Sequence, residues 1–233
     1  MNNVVSKTCG GIDLLALDVD AAVREDSAAA AGLIVNGSIC SFTIMRDELS
    51  RILYDALPKS TVQFGKELTQ IELTSDGSYS LCFADGSSDG SYDLVVGADG
   101  IRSKVRRFVV GCDDEAQYSG IRIRFGISPG GSRPRNAAGQ MRQFFSMDGA
   151  YALTGSYGGL QGKIFDMIAL TTYEDSTRID SNAAWDTGDS KTSTLERLQV
   201  GEFPSEVTDV AAAATRFFDI GVRFQSPFSP WSR

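Results

Sequence analysis

The stretch at residues 93–107, DLVVGADGIRSKVRR, constrains this chain more than any other. A compact apolar run, Leu94-Val95-Val96, stops at Gly97-Ala98-Asp99-Gly100. A basic segment follows in which Val105, Phe108 and Val109 fall on one helical face. Short continuous apolar runs are the pattern of strands buried on both faces of a parallel sheet. Strand, glycine turn and helix, in that order, bring backbone close to a nucleotide at the carboxyl end of a sheet. The sequence therefore predicts a buried strand at 93–96. Gly97 and Gly100 allow close approach or positive φ. Asp99 meets a bound nucleotide, caps the helix that follows, or does both.

Bulk properties narrow the alternatives. A chain of 233 residues holds one large or two small domains, and 42% hydrophobic residues suffice for a core. A net charge of −8 argues against nucleic acid or an anionic membrane surface as partner. No apolar run approaches the length that crosses a bilayer, and MNNVVSKTCGG does not read as a secretory signal. The local basic cluster Arg102, Lys104, Arg106 and Arg107 either meets a phosphorylated ligand or is a solvated helix face. Cys9, Cys40, Cys82 and Cys112 are scattered without CxxC spacing, so neither zinc nor a dithiol pair is expected. A reducing, cytoplasmic compartment fits, with an organelle open if an N-terminal segment is missing. Histidine is absent, which removes imidazole chemistry and His metal ligation from this chain. Chemistry must then come from a bound cofactor, carboxylates, Tyr, Lys, Arg or Cys.

Along the chain, residues 1–40 show little beyond a helix-compatible 21–31, and no GxGxxG occurs anywhere. Met45, Leu49, Ile52, Leu53, Ala56 and Leu57 mark one face of a helix, with Asp47 and Glu48 in its first turn and Pro58 ending it. A strand at 68–74, a turn at Asp76-Gly77, the alternating Tyr79, Leu81 and Phe83, and a turn at Asp85-Gly86 read as a meander. Residues 87–91 read as a polar spacer. In the second half, Ile121, Ile123, Phe125 and Ile127 alternate with polar residues as a half-buried strand. Residues 128–139 read as a loop, three strands are expected at 143–147, 151–157 and 163–173, and residues 174–191 read as a surface loop. Short helices at 194–199 and 205–214 and a last strand at 216–224 complete the reading. The expected class is α/β in the mixed α+β sense: residues 1–111 carry the nucleotide side and residues 112–233 an antiparallel sheet.

Gly97-Ala98-Asp99-Gly100, with Ser103 and Arg106, resembles the GADGxxSxxR fingerprint of flavin-dependent aromatic-ring monooxygenases, the p-hydroxybenzoate hydroxylase family. Arg46-Asp47-Glu48-Leu49, with Leu53, resembles that family's RxxLxxxL helix. The resemblance implies FAD and NAD(P)H as cofactors. It implies hydroxylation or epoxidation of a small organic substrate through a flavin hydroperoxide. It makes 1–111 a partial Rossmann-like FAD-binding domain with the meander and the DG motif, and 112–233 the substrate domain whose sheet covers the flavin ring. It also makes Arg46, Gly97, Ala98, Asp99 and Gly100 cofactor-binding residues, with Ser103 and Arg106 serving the turn. Asp99 as a helix cap and Arg46 as an exposed arginine are the plainer alternatives. Arg122, Arg124, Arg142, Tyr151 and Tyr157 either line a substrate cavity or are ordinary strand residues, and no residue is assigned as catalytic. Leu49, Leu53, Phe144, Phe145, Phe217 and Phe218 are expected in the core. Phe228-Ser229-Pro230-Trp231 resembles the approach to the family's third fingerprint, GDxxHxxxP. Neither that fingerprint nor GxGxxG is present, so a fragment or a truncated gene model is expected. Rival readings are a flavoprotein halogenase or reductase of the same fold, and a non-catalytic domain that keeps the fold.

Overall fold

A computed structural model describes residues 3–26, 34–35, 38–39, 43–112, 115–130, 140–158, 163–174, 185–186 and 189–225. The expected features at 27–31, 131–139, most of 175–188 and 228–231 lie wholly or partly outside these residues. By contact the chain divides into two units that interleave along the sequence: Met1–Leu53 with Gly120–Val222, and Tyr54–Ser119 with Arg223–Arg233. A single cut near residue 111 does not follow this division. The reason is that the first strands join the sheet built by the second half.

Most of the first unit is that sheet. Strands β1 (Asn3–Thr8) and β2 (Asp13–Asp18) are followed by α1 (Val19–Glu25), the two-residue pair β3 (Ile34–Val35) and β4 (Ser38–Ile39), and α2 (Arg46–Asp55). The other unit holds β5 (Leu68–Leu73), β6 (Tyr79–Phe83), β7 (Ser88–Tyr92) and α3 (Lys104–Val110). The long strands come next: β8 (Gln117–Pro129), β9 (Gln140–Phe145), β10 (Tyr151–Gly158) and β11 (Ile164–Tyr173). A short β12 (Trp185–Asp186), helices α4 (Asp189–Val200) and α5 (Ser205–Ala213), and β13 (Arg216–Phe224) close the chain. The large sheet runs β12-β13-β8-β11-β10-β9-β1-β2. β8, β11, β10 and β9 are antiparallel neighbours, and β1 joins β9 in parallel.

Register decides what each strand residue does. Directly opposed residues share a face, and a slip by one would exchange the faces. Leu170 opposes both Arg124 and Ala152, and Ala152 opposes Phe144, so these four share one face. That face is the core: Phe144, Ala152, Ile168 and Leu170 pack with Leu198 of α4 and Val207, Val210 and Ala211 of α5. Gly126 lies on it too. A Cβ there would sit 2.7 Å from the ring of Phe217, so glycine is what lets that fully buried ring lie on the strand.

The same parity decides between the two readings of the arginines. Arg124 is 5% exposed and donates to Glu174 at 2.8 Å and to Thr172 at 3.1 Å. Arg122 donates to Asp219 at 2.7 Å. Arg142 opposes Thr154 and reaches Glu206 of α5 at 2.8 Å. All three stand on the helix-covered face in ion pairs, not in a substrate cavity. A buried guanidinium needs such partners to offset its desolvation. Tyr151 and Tyr157 stand on the opposite face.

In the second unit β5, β6 and β7 form an antiparallel meander. Its turns fall where Asp76-Gly77 and Asp85-Gly86 stand, with Gly77 at φ 86° and Gly86 at φ 80°. The expected polar spacer is in fact β7, pairing Asp89 with Leu81. Its Ser, Gly and Asp residues hid it, because cross-strand pairing and not propensity makes this exposed strand.

The expected buried strand at 93–96 does not form. Among the described residues no strand pairs with it, and Leu94 and Val96 are 74% and 78% exposed. An apolar run becomes an interior strand only with sheet neighbours on its flanks, and the meander stops at Tyr92. The apolar face of α2 is likewise half-exposed, with Leu49 at 43% and Leu53 at 59%. Phe145 is 42% exposed and Phe218 partly buried, so of the four expected core phenylalanines Phe144 and Phe217 hold that place.

Replacing Phe217 with alanine should cost about 3–5 kcal/mol of unfolding free energy. Gly126→Ala should also destabilise, by about 1–3 kcal/mol through overpacking against the same ring. Urea denaturation of the two variants beside the unaltered chain checks both values.

Candidate functional site

The glycine turn of the second unit is built by its own side chains. Gly97 has a packing reason. A Cβ at this position would lie 2.6 Å from Cβ of Val105, so only glycine lets α3 approach the strand-like segment this closely. Gly100 has a conformational one, with φ 78° and nothing within 4 Å of a Cβ built on it. Backbone at Gly100 is therefore open to a ligand. Residues Gly100–Arg102 make a single 3-10 turn, and Ser103 caps α3 by accepting from the amide of Arg106 at 2.9 Å. Gly111 closes the helix in the left-handed region.

Asp99 fastens the two parts together. Its Oδ1 accepts from the hydroxyl of Ser103. Its Oδ2 accepts from the amides of Lys104 at 2.6 Å and Val105 at 3.3 Å. Burial works to raise its pKa, but the Ser103 hydroxyl and the two amides outweigh it and hold the carboxyl below the usual range. The helix-capping alternative is thus realised. Asp99 nonetheless stays exposed, so an edge of the carboxylate faces solvent beside these bonds.

Against this turn lies a cavity of about 660 Å³, lined chiefly by apolar groups, among them Ile71, Tyr79, Leu94, Val96 and Phe108. Asp99, Ser103, Arg106 and Gln225 supply its polar groups. Gln225 donates to the carbonyl of Ile101 at 3.1 Å and so pins the turn from a distant part of the chain. Sequence reasoning had no signal for that tie, because nothing local links residues 101 and 225.

The first unit carries the other half of the expected residues. Arg46 opens α2, exposed. The segment before it is tied to the end of β10: Ile44 bridges Gly158, and Thr43 Oγ1 donates to the carbonyl of Ser156 at 2.8 Å. Gly97, Ala98, Asp99 and Gly100 therefore form one continuous turn, while Arg46 belongs to the other compact unit.

Tyr151 and Tyr157 stand on the sheet face away from the α4–α5 core. Phe125 meets Tyr157 edge-on at 6.4 Å, and Phe145 lies 5.0 Å from Tyr151. Burial pushes both phenols above their usual pKa. The sequence reading missed two polar residues here, Ser6 and Gln143. Gln143 opposes Leu153 across β9 and β10, which places it on the tyrosine face, and Ser6 Oγ donates to its Oε1 at 2.7 Å. The pairing of β1 with β9, 137 residues apart, is not visible in either segment alone.

The turn should be fragile in a graded way. Gly97→Ala should cost about 1–3 kcal/mol because Val105 cannot withdraw without moving α3. Asp99→Ala should cost about 1 kcal/mol at pH 7 through loss of the cap. Because the folded carboxyl titrates low, that contribution is complete above the unfolded pKa near ~4 and fades as pH falls through the folded value. Denaturation at pH 7 and near pH 3 should show the Asp99→Ala gap narrowing at the lower pH.

No family model matches the chain. It is 32% identical over 188 residues to the dual trans-enoyl reductase/FAD-dependent monooxygenase tazHJ of Aspergillus terreus, an alignment covering 76% of this chain and 23% of that protein. It is 40% identical over 77 residues to the FAD-dependent urate hydroxylase of Klebsiella pneumoniae, covering 33% of this chain and 20% of the relative. Among solved structures, Klebsiella pneumoniae HpxO complexed with FAD and uric acid superposes with a TM-score of 0.72 at 20% identity, over 100% of this chain and 54% of that one. CtdE in complex with FAD and substrate superposes with a TM-score of 0.74 at 16% identity, again over 100% of this chain and 54% of the other. The chain thus spans about half the length of the solved structures it matches, and less of the curated relatives. By these likenesses the chain belongs to the FAD-dependent aromatic-hydroxylase family of flavin monooxygenases.

Proposed function

We propose that this chain is the central part of an FAD- and NAD(P)H-dependent monooxygenase. The whole protein would place one atom of O2 on a small organic ring or alkene and release the other as water. The balance is NAD(P)H + H⁺ + O2 + R–H giving NAD(P)⁺ + H2O + R–OH, with an epoxide replacing the alcohol when the substrate is an alkene. FAD, when bound, supplies the passage of electrons from nicotinamide to O2 and the oxygen transfer. The chain's own residues bind, orient and exclude water.

The observation that carries this reading is the Gly97–Val105 turn. The exposed edge of the Asp99 carboxylate suits a sugar or ribityl hydroxyl, not a phosphate, because two anions would repel. Open space at Gly100 leaves backbone accessible beside it. Gly97 and Ala98 shape the approach. Arg46, with forked donors at an exposed helix start, suits an anionic or carbonyl part of the cofactor. The half-buried aromatic face around Tyr151 and Tyr157 is the side we assign to the substrate. The partner is then a small organic molecule, and a reducing, cytoplasmic compartment suits four scattered cysteines. No helix among the described residues is long and apolar enough to cross a membrane.

The cradle for the cofactor is partial, since no GxGxxG turn is present to hold the pyrophosphate on a helix N-terminus. The chain alone should therefore bind FAD weakly or not at all in a flavin-fluorescence titration; submicromolar binding would contradict this. Joined to segments carrying GxGxxG and GDxxHxxxP, it should show NADPH-dependent O2 uptake with a member of a phenol and carotenoid panel. In that protein Asp99→Ala should weaken FAD binding about tenfold, or ~1.4 kcal/mol. Absence of flavin binding in the completed protein would overturn the assignment.

A further inference from the structure

We propose that Thr43 is a positioning residue for Arg46: its hydroxyl ties the segment before α2 to the end of β10, and that tie fixes where the arginine stands toward the cofactor. The proposal rests on the reading that Arg46 meets FAD.

The register of β10 leaves a place for this segment. β11 follows β10 from Tyr151 through to Gly158, whereas β9 pairs with it only from Tyr151 to Thr154. Beyond Thr154 one side of β10 is therefore an edge, with main-chain groups that β9 does not reach. The segment before α2 takes that edge. Ile44 makes a parallel bridge to Gly158. The amide of Gly158 donates to the Thr43 carbonyl at 3.2 Å, and Thr43 Oγ1 donates to the carbonyl of Ser156 at 2.8 Å. Ser156 is itself held, its hydroxyl donating to Asp166 of β11 at 2.8 Å. Both bonds to β10 thus come from one residue, one through its carbonyl and one through its hydroxyl. Valine has the shape of threonine but cannot donate the second.

What this tie locates is the first turn of α2. Three residue steps separate Thr43 from Arg46, at most about 11 Å of extended chain. The Met45 carbonyl already accepts from the amide of Leu49 at 3.0 Å, so little slack lies between anchor and helix. Packing does not do the same work. α2 has no buried residue, and Leu49 and Leu53 on its apolar face are half-exposed. Helix energetics do not call for Arg46 either. A cation at the N-terminus opposes the macrodipole, which Asp47 and Glu48 suit. A guanidinium binds through donors in a fixed fork, so its contribution depends on where its helix begins. An anchored start removes ordering that a loose one would require on binding.

Two experiments separate this tie from the flavin reading. The first uses the chain itself without flavin. Thr43→Val should speed amide exchange at Gly158 by about fivefold, the effect of losing one neutral hydrogen bond. Thr43→Ser should keep that rate, and the amides of β11 should be unchanged in both variants. Should Thr43→Val fail to fold, Thr43→Ala removes the same hydroxyl and is read the same way. The second is a flavin-fluorescence titration of the completed protein, carrying GxGxxG and GDxxHxxxP. Thr43→Val should weaken FAD binding about fivefold, and Thr43→Ser should hold it within about twofold of the unaltered protein. Arg46→Ala should weaken it about tenfold. Adding Thr43→Val to Arg46→Ala should then change it by less than about twofold, because the tie has no arginine left to place. A residue that only supports the fold would weaken binding by the same factor in both backgrounds. Unchanged exchange at Gly158, equal losses with and without Arg46, or no rescue by serine would overturn the proposal and leave the flavin reading standing. FAD binding that is absent from the completed protein, or that ignores Arg46→Ala, would overturn it together with the flavin role of Arg46.

Discussion

The period of two along β8, β9, β10 and β11 is the constraint from which the chemistry of the first unit follows. Opposed pairs carry a single face across four strands, from Arg124 through Leu170 and Ala152 to Phe144. That face is closed by α4 and α5, and whatever polar group falls on it must find a partner or not be there. Hence the ion pairs of Arg122, Arg124 and Arg142. The other face receives the remaining residues by default: Phe125, Gln143, Phe145, Tyr151, Leu153 and Tyr157. One rule therefore separates the structural cations from the aromatic and hydroxyl groups, and neither set could be moved without shifting a whole strand.

The second unit depends on a shorter-range device. Gly97 lets α3 come within contact of the chain before it, and Asp99 then satisfies amides at the start of that helix. The hydroxyl of Ser103 serves both the carboxylate and the amide of Arg106. A turn so tightly self-satisfied needs no ligand to exist. It leaves open space at Gly100 and an exposed carboxylate edge on a preformed turn. Under the proposed function, contact with the cofactor would be a second use of the carboxylate that serves these amides.

Much of this was legible in the sequence. Alternation announced β8, the Asp-Gly pairs announced the meander turns, periodicity announced α2, and strands at β10 and β11 and a short helix at α5 were expected where they stand. What failed failed for identifiable reasons. The apolar run Leu94–Val96 has the composition of an interior strand, but burial is a property of neighbours, and none flank it among the described residues. The apolar face of α2 errs in the same way. β7 is polar and glycine-bearing, yet it pairs with β6 because the turn before it sets the register. For Arg122, Arg124 and Arg142 the alternation leaves two readings open, cavity lining or ordinary strand residues, because it does not say which face is closed by helices; the structure places them as the latter. Ser6 was invisible because its partner lies across a parallel pairing of distant segments.

Hydrogen exchange tests the central claim most directly. The comparison is the completed protein, carrying both missing fingerprints, with and without FAD. Exchange should slow on adding FAD through residues 97–106, where the turn meets the nucleotide, while the β5–β7 turns at Gly77 and Gly86 keep their rates. Unchanged exchange across 97–106 in a protein that demonstrably holds FAD would contradict the account.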